Sequence, residues 1–273
     1  MSGKLYVVGT PIGNLEDMSP RAVRVLDEAD FIAAEDTRVT VKLLNHFGIK
    51  KEMLSYYEHN KNSKGNLIIE RILNGESCAL VSDAGMPAIS DPGEDLVRQA
   101  HEVGICVESV PGPSALVTAL SISGMESGKF CFEGFLSVNK ISRKEHLEEV
   151  KNESRTMIFY EAPHKLPATL RDMLAVFGDR KIALVKELTK IHETVNRTTL
   201  SAAAEYYSEN TPKGEFVLII EGKKRENTEQ YSLEDAVKLA KRLIKEGKST
   251  SSAAKEAAEV SGLKKSSIYK ELI

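Results

Sequence analysis

The sequence predicts an α/β protein made of two α/β domains, followed by a small C-terminal helical segment of the helix-turn-helix type. Short apolar runs alternate with helical patterns from residue 5 to residue 220, which is typical of βαβ units. The alternation starts again after a polar link at 124–129, and from Ser232 onward only helical spacing remains. We therefore predict domains at 1–124, 125–224 and 232–273, with a ligand cleft between the first two.

The first strand, predicted over 5–8, runs directly into a turn with two glycines, Gly9 and Gly13. Such a turn resembles a phosphate-binding loop, but its spacing fits neither the GxGxxG fingerprint nor a P-loop. A tight turn around another kind of ligand remains open. The other elements of this half are predicted as helices over 20–29, 41–47, 65–73 and 116–122 and as strands over 31–34, 53–56 and 105–110.

The stretch at 79–93 is the centre of this half. Its apolar start, 79–81, is typical of a strand buried on both faces, and a loop rich in Ser, Asp, Gly and Pro follows. Gly85 allows a close approach of the backbone to a ligand, and Asp83 can accept hydrogen bonds from an amine or a hydroxyl. Asp91-Pro92 predicts the start of a helix over 94–101. An ordinary strand-to-helix connection is the alternative.

Two further strand ends carry polar groups. Glu35-Asp36-Thr37-Arg38 follows the strand at 31–34, and Pro111-Gly112-Pro113-Ser114-Ala115 follows the strand at 105–110. Open α/β sheets bind ligands at the carboxyl ends of their strands, so both segments are candidates for a site. For Glu35 and Asp36, a helix start with favourable acids at its N-terminus is an equal alternative.

The second half predicts strands over 130–132, 156–160, 182–185, 194–199 and 216–220, with helices that end at 150, cover 166–177 and begin at 201. A polar loop is predicted over 136–144, and it carries Lys140, Arg143 and Lys144. Several of these strands end in charged residues, which suggests that they contribute to the same cleft.

The C-terminal segment has a helical pattern and a basic charge. Ala258, Gly262 and Ile268 stand where a helix-turn-helix places its small packing residue, its turn glycine and its core contact. Residues 223–273 contain 12 Lys and Arg against 8 Asp and Glu, a net charge of +4, whereas the rest of the chain has −7. A polyanionic partner is one interpretation, and a small packing bundle with a solvated face is the other.

The composition excludes several classes of protein. Cys78, Cys106 and Cys131 form no CxxC pair, so neither a disulfide framework nor a zinc site is expected, and no metal cluster is visible. No apolar run approaches the roughly 20 residues of a membrane span, and the N-terminus lacks a signal-peptide pattern. We therefore expect a cytoplasmic protein without a membrane partner.

Five stretches in one order resemble motifs of the tetrapyrrole-methylase superfamily. They are 9–15 (GTPIGNL), 34–38 (AEDTR), 82–87 with 90–93 (SDAGMP and SDPG), 111–115 (PGPSA) and 160–165 (YEAPHK). The resemblance is strongest to the bacterial branch that methylates the 2′-oxygen of a cytidine ribose in the decoding region of 16S ribosomal RNA. It implies S-adenosylmethionine as cofactor, the ribosomal RNA of the small subunit as partner, and a homodimer. Met86 departs from the pattern, which more often has Thr there.

The resemblance also implies which residues contact the cofactor: Pro11, Ile12, Asp83, Ala84, Gly85, Pro87, Ser114, Ala115, Tyr160, Leu188 and Gly214. For catalysis, a base or a cation would help a ribose hydroxyl to react. The sequence offers Glu35, Asp36, Arg38, Glu161, His164, Lys186 and Glu187. We favour Glu35 or Asp36 as the base, and Arg38 or Lys186 as the partner of a phosphate or an alkoxide.

Two other functions remain open at this point. A methylase of porphyrin-like small molecules would share the cofactor loops but would not need a basic helical tail. A non-catalytic nucleic-acid-binding regulator would use the tail and would leave the loops of the body without a role.

Overall fold

The computed structural model describes residues 2–91, 93–224 and 232–273, except for the side chain of Asn62. The chain divides into two compact units, Met1–Lys223 and Lys224–Ile273. Within the described residues, none of the helices is both long enough and apolar enough to cross a membrane.

The first sheet is entirely parallel, as the alternation of strands and helices predicts. Its strands are β1 (Lys4–Val8), β2 (Phe31–Ala34), β3 (Glu52–Ser55), β4 (Cys78–Val81) and β5 (Cys106–Val110), in the order β3-β2-β4-β1-β5. The helices between them are α1 (Pro20–Glu28), α2 (Thr37–His46), α3 (Lys61–Leu73) and α4 (Gly93–Glu102).

Alternate residues of the central strands point to opposite faces of this sheet. Phe31 and Leu80 pack in the cluster that contains residues of α3 and α4, whereas Ile32 and Val81 pack in the cluster that contains residues of α1 and α2. Both faces are therefore covered by helices, and the carboxyl ends of the strands remain the place for a ligand.

Local capping explains where several of these helices begin. The Ser19 hydroxyl accepts a hydrogen bond from the backbone N–H of Ala22 at 3.1 Å, at the start of α1. At the start of α4, the Asp91 carboxylate accepts one from the N–H of Gly93 at 3.0 Å. Pro92, the expected first residue of that helix, lies outside the described residues.

The second sheet is mixed. Its strands are β6 (Phe130–Phe135), β7 (Thr156–Glu161), β8 (Lys181–Lys186), β9 (Thr194–Thr199) and β10 (Phe216–Ile220), in the order β6-β7-β10-β8-β9. Among the strands described for this sheet, only β6 and β7 pair in parallel; β10 runs antiparallel to both β7 and β8, and β9 is antiparallel to β8. Strand β10 therefore lies in the middle of the sheet. The spacing of apolar residues in the sequence does not predict this strand order.

The helices of this half are α6 (Lys140–Glu149), α7 (Leu166–Phe177) and α8 (Leu200–Glu209). The predicted loop over 136–144 is wrong from residue 140 onward. The side chain of Asn139 accepts hydrogen bonds from the N–H groups of Ile141 and Ser142, so α6 begins among the basic residues.

Helix α5 (Ala115–Ser123) joins the two halves. It follows β5 in the chain, but Ala119 and Leu120 pack against Ile158, Val185 and other residues of the second sheet. The two halves are consequently interlocked in one compact unit. The predicted domain boundary at 124 stays a prediction.

The C-terminal unit consists of α9 (Leu233–Lys245), α10 (Thr250–Ser261) and α11 (Lys265–Lys270). Gly262 ends α10 in the left-handed conformation at φ 69°, as expected of the turn glycine. Ile268 is fully buried with Ala240 and Ala257 between the helices. The unit therefore has the helix–turn–helix geometry that the spacing predicts, supported by one further helix.

Candidate functional site

The loops that follow β1 and β4 are joined by backbone hydrogen bonds. The N–H of Thr10 donates to the carbonyl of Gly85 at 2.9 Å, and the N–H of Gly85 donates to the carbonyl of Thr10 at 3.1 Å. The Thr10 hydroxyl donates to the carbonyl of Ser82 at 3.3 Å. Gly85 has φ 88°, a conformation that favours glycine. The two loops thus form one rigid floor at the carboxyl edge of the sheet.

The loop after β5 lies against the same floor. A Cβ atom on Gly9 would lie 2.7 Å from Cα of Gly112 and 2.7 Å from Sδ of Met86, and a Cβ on Gly112 would lie 2.8 Å from Gly9. Neither position has room for a side chain. The side chain of Met86 packs beneath the first loop, which accounts for an apolar residue at this position of the motif.

Three carboxylates meet at the neighbouring strand ends of β2 and β4. The Asp83 carboxylate accepts a hydrogen bond from the N–H of Asp36 at 3.1 Å, and the N–H of Asp83 donates to the Glu35 carboxylate at 3.5 Å. Burial raises the pKa of Glu35, and the negative charge of Asp83 raises it further. Burial also raises the pKa of Asp83.

Asp36 has a different environment. Its carboxylate accepts hydrogen bonds from the Arg38 guanidinium at 3.0 and 2.6 Å, and from the backbone N–H of Arg38 at 2.8 Å, so that it caps α2. These hydrogen bonds lower the pKa of Asp36 to about 2. The Arg38 side chain is 88% exposed and presents its remaining N–H groups to solvent.

A cleft of about 410 Å³ lies between the first and second sheets, inside the Met1–Lys223 unit. The first half contributes Ile12, Ala84, Ile89, Ser90 and Ala115, and the second half contributes Phe135, Tyr160, Glu161, Ala162, Pro163, Val185, Leu188, Glu215, Phe216 and Val217. The walls are mainly apolar with a few polar groups, as is common in small-molecule sites.

Tyr160 connects the two sides of this cleft. Its hydroxyl oxygen accepts a hydrogen bond from the N–H of Leu116 at 3.0 Å, near the start of α5. Its ring contacts the rings of Phe132 and Phe135, at centroid distances of 4.9 and 5.4 Å. Burial raises the pKa of the Tyr160 hydroxyl, which therefore stays protonated at neutral pH.

Among the described residues, four other than glycine have positive φ, and they lie in the two loops beside the cleft. They are Ala88 (68°), Ser90 (64°), Glu187 (53°) and Thr189 (64°). Such conformations cost free energy and cluster at functional sites, where the surrounding structure maintains them. For Glu187, the supporting contacts are hydrogen bonds from the N–H of Glu215 and the ammonium of Lys190, both at 3.0 Å.

Comparison with known proteins agrees with this geometry. Residues 4–204 match the model of the family described as Tetrapyrrole (Corrin/Porphyrin) Methylases. The chain belongs to the tetrapyrrole methylase family. The family resemblance of the five sequence motifs is thereby confirmed.

Relatives within this methylase family extend the match. The ribosomal RNA small subunit methyltransferase I of Halalkalibacterium halodurans is 54% identical over 81% of this chain and 76% of its own length. The protein of the same name from Synechocystis sp. is 45% identical over 98% of this chain and 96% of its own. A solved structure of uroporphyrin-III C-methyltransferase from Thermus thermophilus, complexed with S-adenosylhomocysteine, has a TM-score of 0.58 and 18% identity. It covers 80% of this chain and 97% of its own, and it shows the fold.

The methylase cleft brings together five of the positions that the resemblance implies for the cofactor: Ile12, Ala84, Ala115, Tyr160 and Leu188. Five others flank these in the same loops, namely Pro11, Asp83, Gly85, Pro87 and Ser114, and Gly214 lies in the loop before β10. Pro87 is buried under its loop, and Gly214 packs against the side chain of Glu187, where a Cβ would lie at 2.6 Å. These assignments stay predictions.

The four positions favoured for catalysis are not all in one place. Glu35, Asp36 and Arg38 lie together beside Asp83, whereas Lys186 lies at the carboxyl end of β8 in the second sheet. Glu161 is buried, accepts a hydrogen bond from Thr169 at 2.5 Å, and pairs with Lys165 at 3.1 Å. These partners fix its position in the cleft wall.

Sequence reasoning missed several lining residues, chiefly Ile89, Ser90 and Phe135. Each of the three belongs to a loop or a strand end at the cleft edge of a sheet. The rule that ligands bind at the carboxyl ends of strands could therefore have found them. Among the described residues, no group of three or more His, Cys, Asp or Glu side chains could hold a metal ion.

Proposed function

We propose that this methylase transfers a methyl group from S-adenosylmethionine to the 2′-oxygen of a cytidine ribose in the decoding region of 16S ribosomal RNA. One observation carries the proposal. The match to the ribosomal RNA methyltransferase from Synechocystis runs through 98% of the chain, including the C-terminal helices, whereas the uroporphyrin-III methyltransferase covers 80%. A tail shared with the former favours the RNA substrate over a tetrapyrrole.

The cleft fits S-adenosylmethionine. Ile12, Ala115 and Leu188 provide apolar surface of the kind that an adenine ring needs, and Gly85, which has no side chain, allows a close approach of its backbone. The carboxylate of Asp83 lies on the adjoining loop and can accept hydrogen bonds from the amino group of the methionine end.

When bound, the cofactor supplies an electrophilic methyl carbon. The rigid floor formed by Thr10 and Gly85 holds the cofactor side of the cleft in place, and alignment of the reacting atoms can contribute roughly 7–11 kcal/mol. Glu35 is the base that we favour for the ribose hydroxyl proton, because its raised pKa makes it a better proton acceptor than Asp36.

Arg38 and Lys186 are the two cations that this proposal assigns to contacts with a phosphate or an alkoxide. Arg38 is oriented by Asp36 while most of its side chain is exposed, so it can also contact a phosphate of the substrate. Lys186 is half-buried at the end of β8 and has no ion pair within the described part of the chain, which leaves its ammonium available for a phosphate or an alkoxide.

A homodimer forms part of the same proposal. Val117, Ile122, Val195 and Ile191 on α5, β9 and the adjoining loop have large exposed fractions, between 37% and 97%, and they offer apolar surface for a second copy. Sedimentation at micromolar concentration would measure the oligomeric state, and a single monomeric species would contradict this part. A ribosomal substrate would place the protein in the cytoplasm.

The decisive experiment follows the methyl group. Purified protein is incubated with methyl-labelled S-adenosylmethionine and with unmethylated small ribosomal subunits, free 16S RNA or uroporphyrinogen. The expected product is labelled 16S RNA that yields one alkali-resistant dinucleotide containing 2′-O-methylcytidine. Label in the tetrapyrrole, on a base, or in none of the three would overturn the proposal.

A further inference from the structure

A strip of exposed apolar and basic side chains runs outward from the cleft at the β6–α6 connection. Phe135, Val138 and Ile141 are 55%, 78% and 70% exposed, and Lys140 and Lys144 are exposed beside them. These five residues are called the 135–144 surface. Phe135 also lines the cleft, so the surface is continuous with the proposed site.

The two lysines do not stabilise the helix on which they lie. Lys140 stands in the first turn of α6, where a positive charge opposes the helix dipole, and Glu148 and Glu149 stand at the other end, where a negative charge does the same. Lys140 and Lys144 are four residues apart, a spacing at which like charges repel. Neither has an ion pair within the described part of the chain.

Arg143 lies between the two lysines in the chain, but its side chain is buried and ion-paired. It is 8% exposed, pairs with Asp172 at 2.7 Å, and donates to the carbonyl groups of Ser137 and Val138 at 3.1 Å. Arg143 therefore anchors the connection, and the lysines project from it. The charged residues that disfavour the α6 helix all lie at exposed positions. Unfavourable charges at exposed positions are typical of a binding surface.

The inner end of the surface is held in place. The ammonium of Lys165 donates to the carbonyl of Leu136 at 3.3 Å, lies 5.5 Å from the ring centroid of Phe135, and pairs with the buried Glu161. The ring of Tyr160 contacts that of Phe135 from another side. Phe135 is thus an exposed aromatic ring in a fixed position, which lowers the entropy cost of binding a partner.

We propose that the 135–144 surface binds the unpaired RNA strand next to the methylated nucleotide, with a base stacked on Phe135 and phosphates at Lys140 and Lys144. This inference rests on the proposed function. Aromatic rings that stack bases, combined with cations that follow the backbone, are the common features of single-strand binding. We favour RNA over a second copy of the chain at this surface. A second copy would bring its own Lys140 and Lys144 close to these lysines, and the like charges would repel.

The first test removes the charges. Lys140→Ala/Lys144→Ala is compared with Lys50→Ala/Lys181→Ala, a control pair of exposed lysines near the amino ends of β3 and β8, away from the cleft. The probe is a fluorescent single-stranded 12-nucleotide RNA with the sequence around the target cytidine. Loss of two phosphate contacts should lower the slope of log K against log salt by about 1.4, and the control should keep the wild-type slope.

The second test examines stacking. A 2-aminopurine placed next to the target cytidine should lose fluorescence on binding to wild-type protein and keep it with Phe135→Leu. Loss of a stacked base corresponds to an affinity about 5- to 150-fold weaker. Val138→Ser/Ile141→Ser tests the outer part, where we expect a higher KM for small subunits with kcat near the wild-type value.

The outcomes separate the two proposals. If the wild-type protein does not methylate ribosomal RNA, the proposed function fails. If it does, and the lysine and Phe135 variants keep the wild-type salt slope, fluorescence change and KM, the assignment of this surface is wrong. Conversion of a dimer to a monomer by Val138→Ser/Ile141→Ser would identify the surface as a protein interface and would equally overturn the assignment.

Discussion

Glu35 and Asp36 are neighbours in the chain, but their surroundings give the two carboxylates opposite properties. Glu35 is partly buried beside Asp83, which raises its pKa, whereas hydrogen bonds from Arg38 lower the pKa of Asp36 to about 2. A pair of acids with separated pKa values is a common basis for assigning distinct roles. Here it favours Glu35 as the proton acceptor and Asp36 as the residue that caps α2 and orients Arg38.

The first prediction at this scale concerns the pH dependence of catalysis. A base acts only when deprotonated, so kcat/KM should fall as the pH drops through the raised pKa of Glu35. Glu35→Gln should remove this limb and lower turnover by about 10²- to 10⁴-fold, while S-adenosylmethionine still binds. Asp36→Asn should keep the limb, because its pKa lies far below the range tested. A pH–rate profile measures both, and an unchanged limb in Glu35→Gln would assign the base elsewhere.

The second prediction concerns Asp83. Its carboxylate lies in the same loop as Gly85 and can accept hydrogen bonds from the amino group of the cofactor, so Asp83→Ala should weaken S-adenosylmethionine binding by about 1–3 kcal/mol. Asp83→Asn keeps one acceptor oxygen for the N–H of Asp36 and should lose less. Calorimetric titration measures the dissociation constants, and equal values for wild type and Asp83→Ala would remove this residue from the cofactor site.

The third prediction concerns the ion pair in the cleft wall. The side chains of Lys165 and Glu161 are 16% and 1% exposed, so Lys165→Met leaves a buried carboxylate without its cation. The free energy of unfolding in urea should fall by about 3–5 kcal/mol. Lys151→Met is the matched control, because Lys151 pairs with Glu148 at the same 3.1 Å while both are 45% exposed. Its cost should stay below about 1 kcal/mol.

At the scale of elements, the strand-end loops of the first sheet are built on close backbone contact. Gly112→Ala should lower the free energy of unfolding by about 1–3 kcal/mol and weaken cofactor binding, because its Cβ would lie 2.8 Å from Gly9. Gly128→Ala is the control, since a Cβ there meets nothing within 4 Å. Urea denaturation and calorimetry would test this, and equal stability of the two variants would contradict the packing argument.

At the scale of the whole molecule, the C-terminal helices form a compact unit of their own. Its own core of Ala240, Ala257 and Ile268 supports it, and the basic residues lie on its surface. A basic helical unit that faces phosphates raises affinity through the release of counterions. The tail is thus expected to serve substrate binding, while the cleft serves the chemistry.

Deletion of residues 232–273 tests this division. The body should remain folded by circular dichroism and should bind S-adenosylmethionine with the wild-type affinity. Binding to small subunits should weaken, with a shallower dependence on salt. Lys264→Ala/Lys265→Ala/Lys270→Ala should have part of that effect. A truncated protein that unfolds, or that binds subunits as tightly as the full chain at every salt concentration, would show that the tail is only a packing element.

The sequence by itself determined the local structure and the family. Alternating apolar runs predicted the parallel first sheet, Asp91-Pro92 predicted the start of α4, and Gly262 predicted the turn in the tail. These features depend on neighbours within a few residues, so periodicity and turn chemistry report them. The five motifs identified the family, and they lie in the loops that form the cleft and its surroundings.

Only the tertiary structure decided how distant segments meet. The insertion of β10 between β7 and β8, the packing of α5 on the second sheet, and the start of α6 at Lys140 were not predicted. The choice between Glu35 and Asp36 also depends on Asp83, which lies almost fifty residues away in the chain. Burial and the approach of charged groups come from packing between residues far apart in sequence, and they set the pKa values and the shape of the cleft.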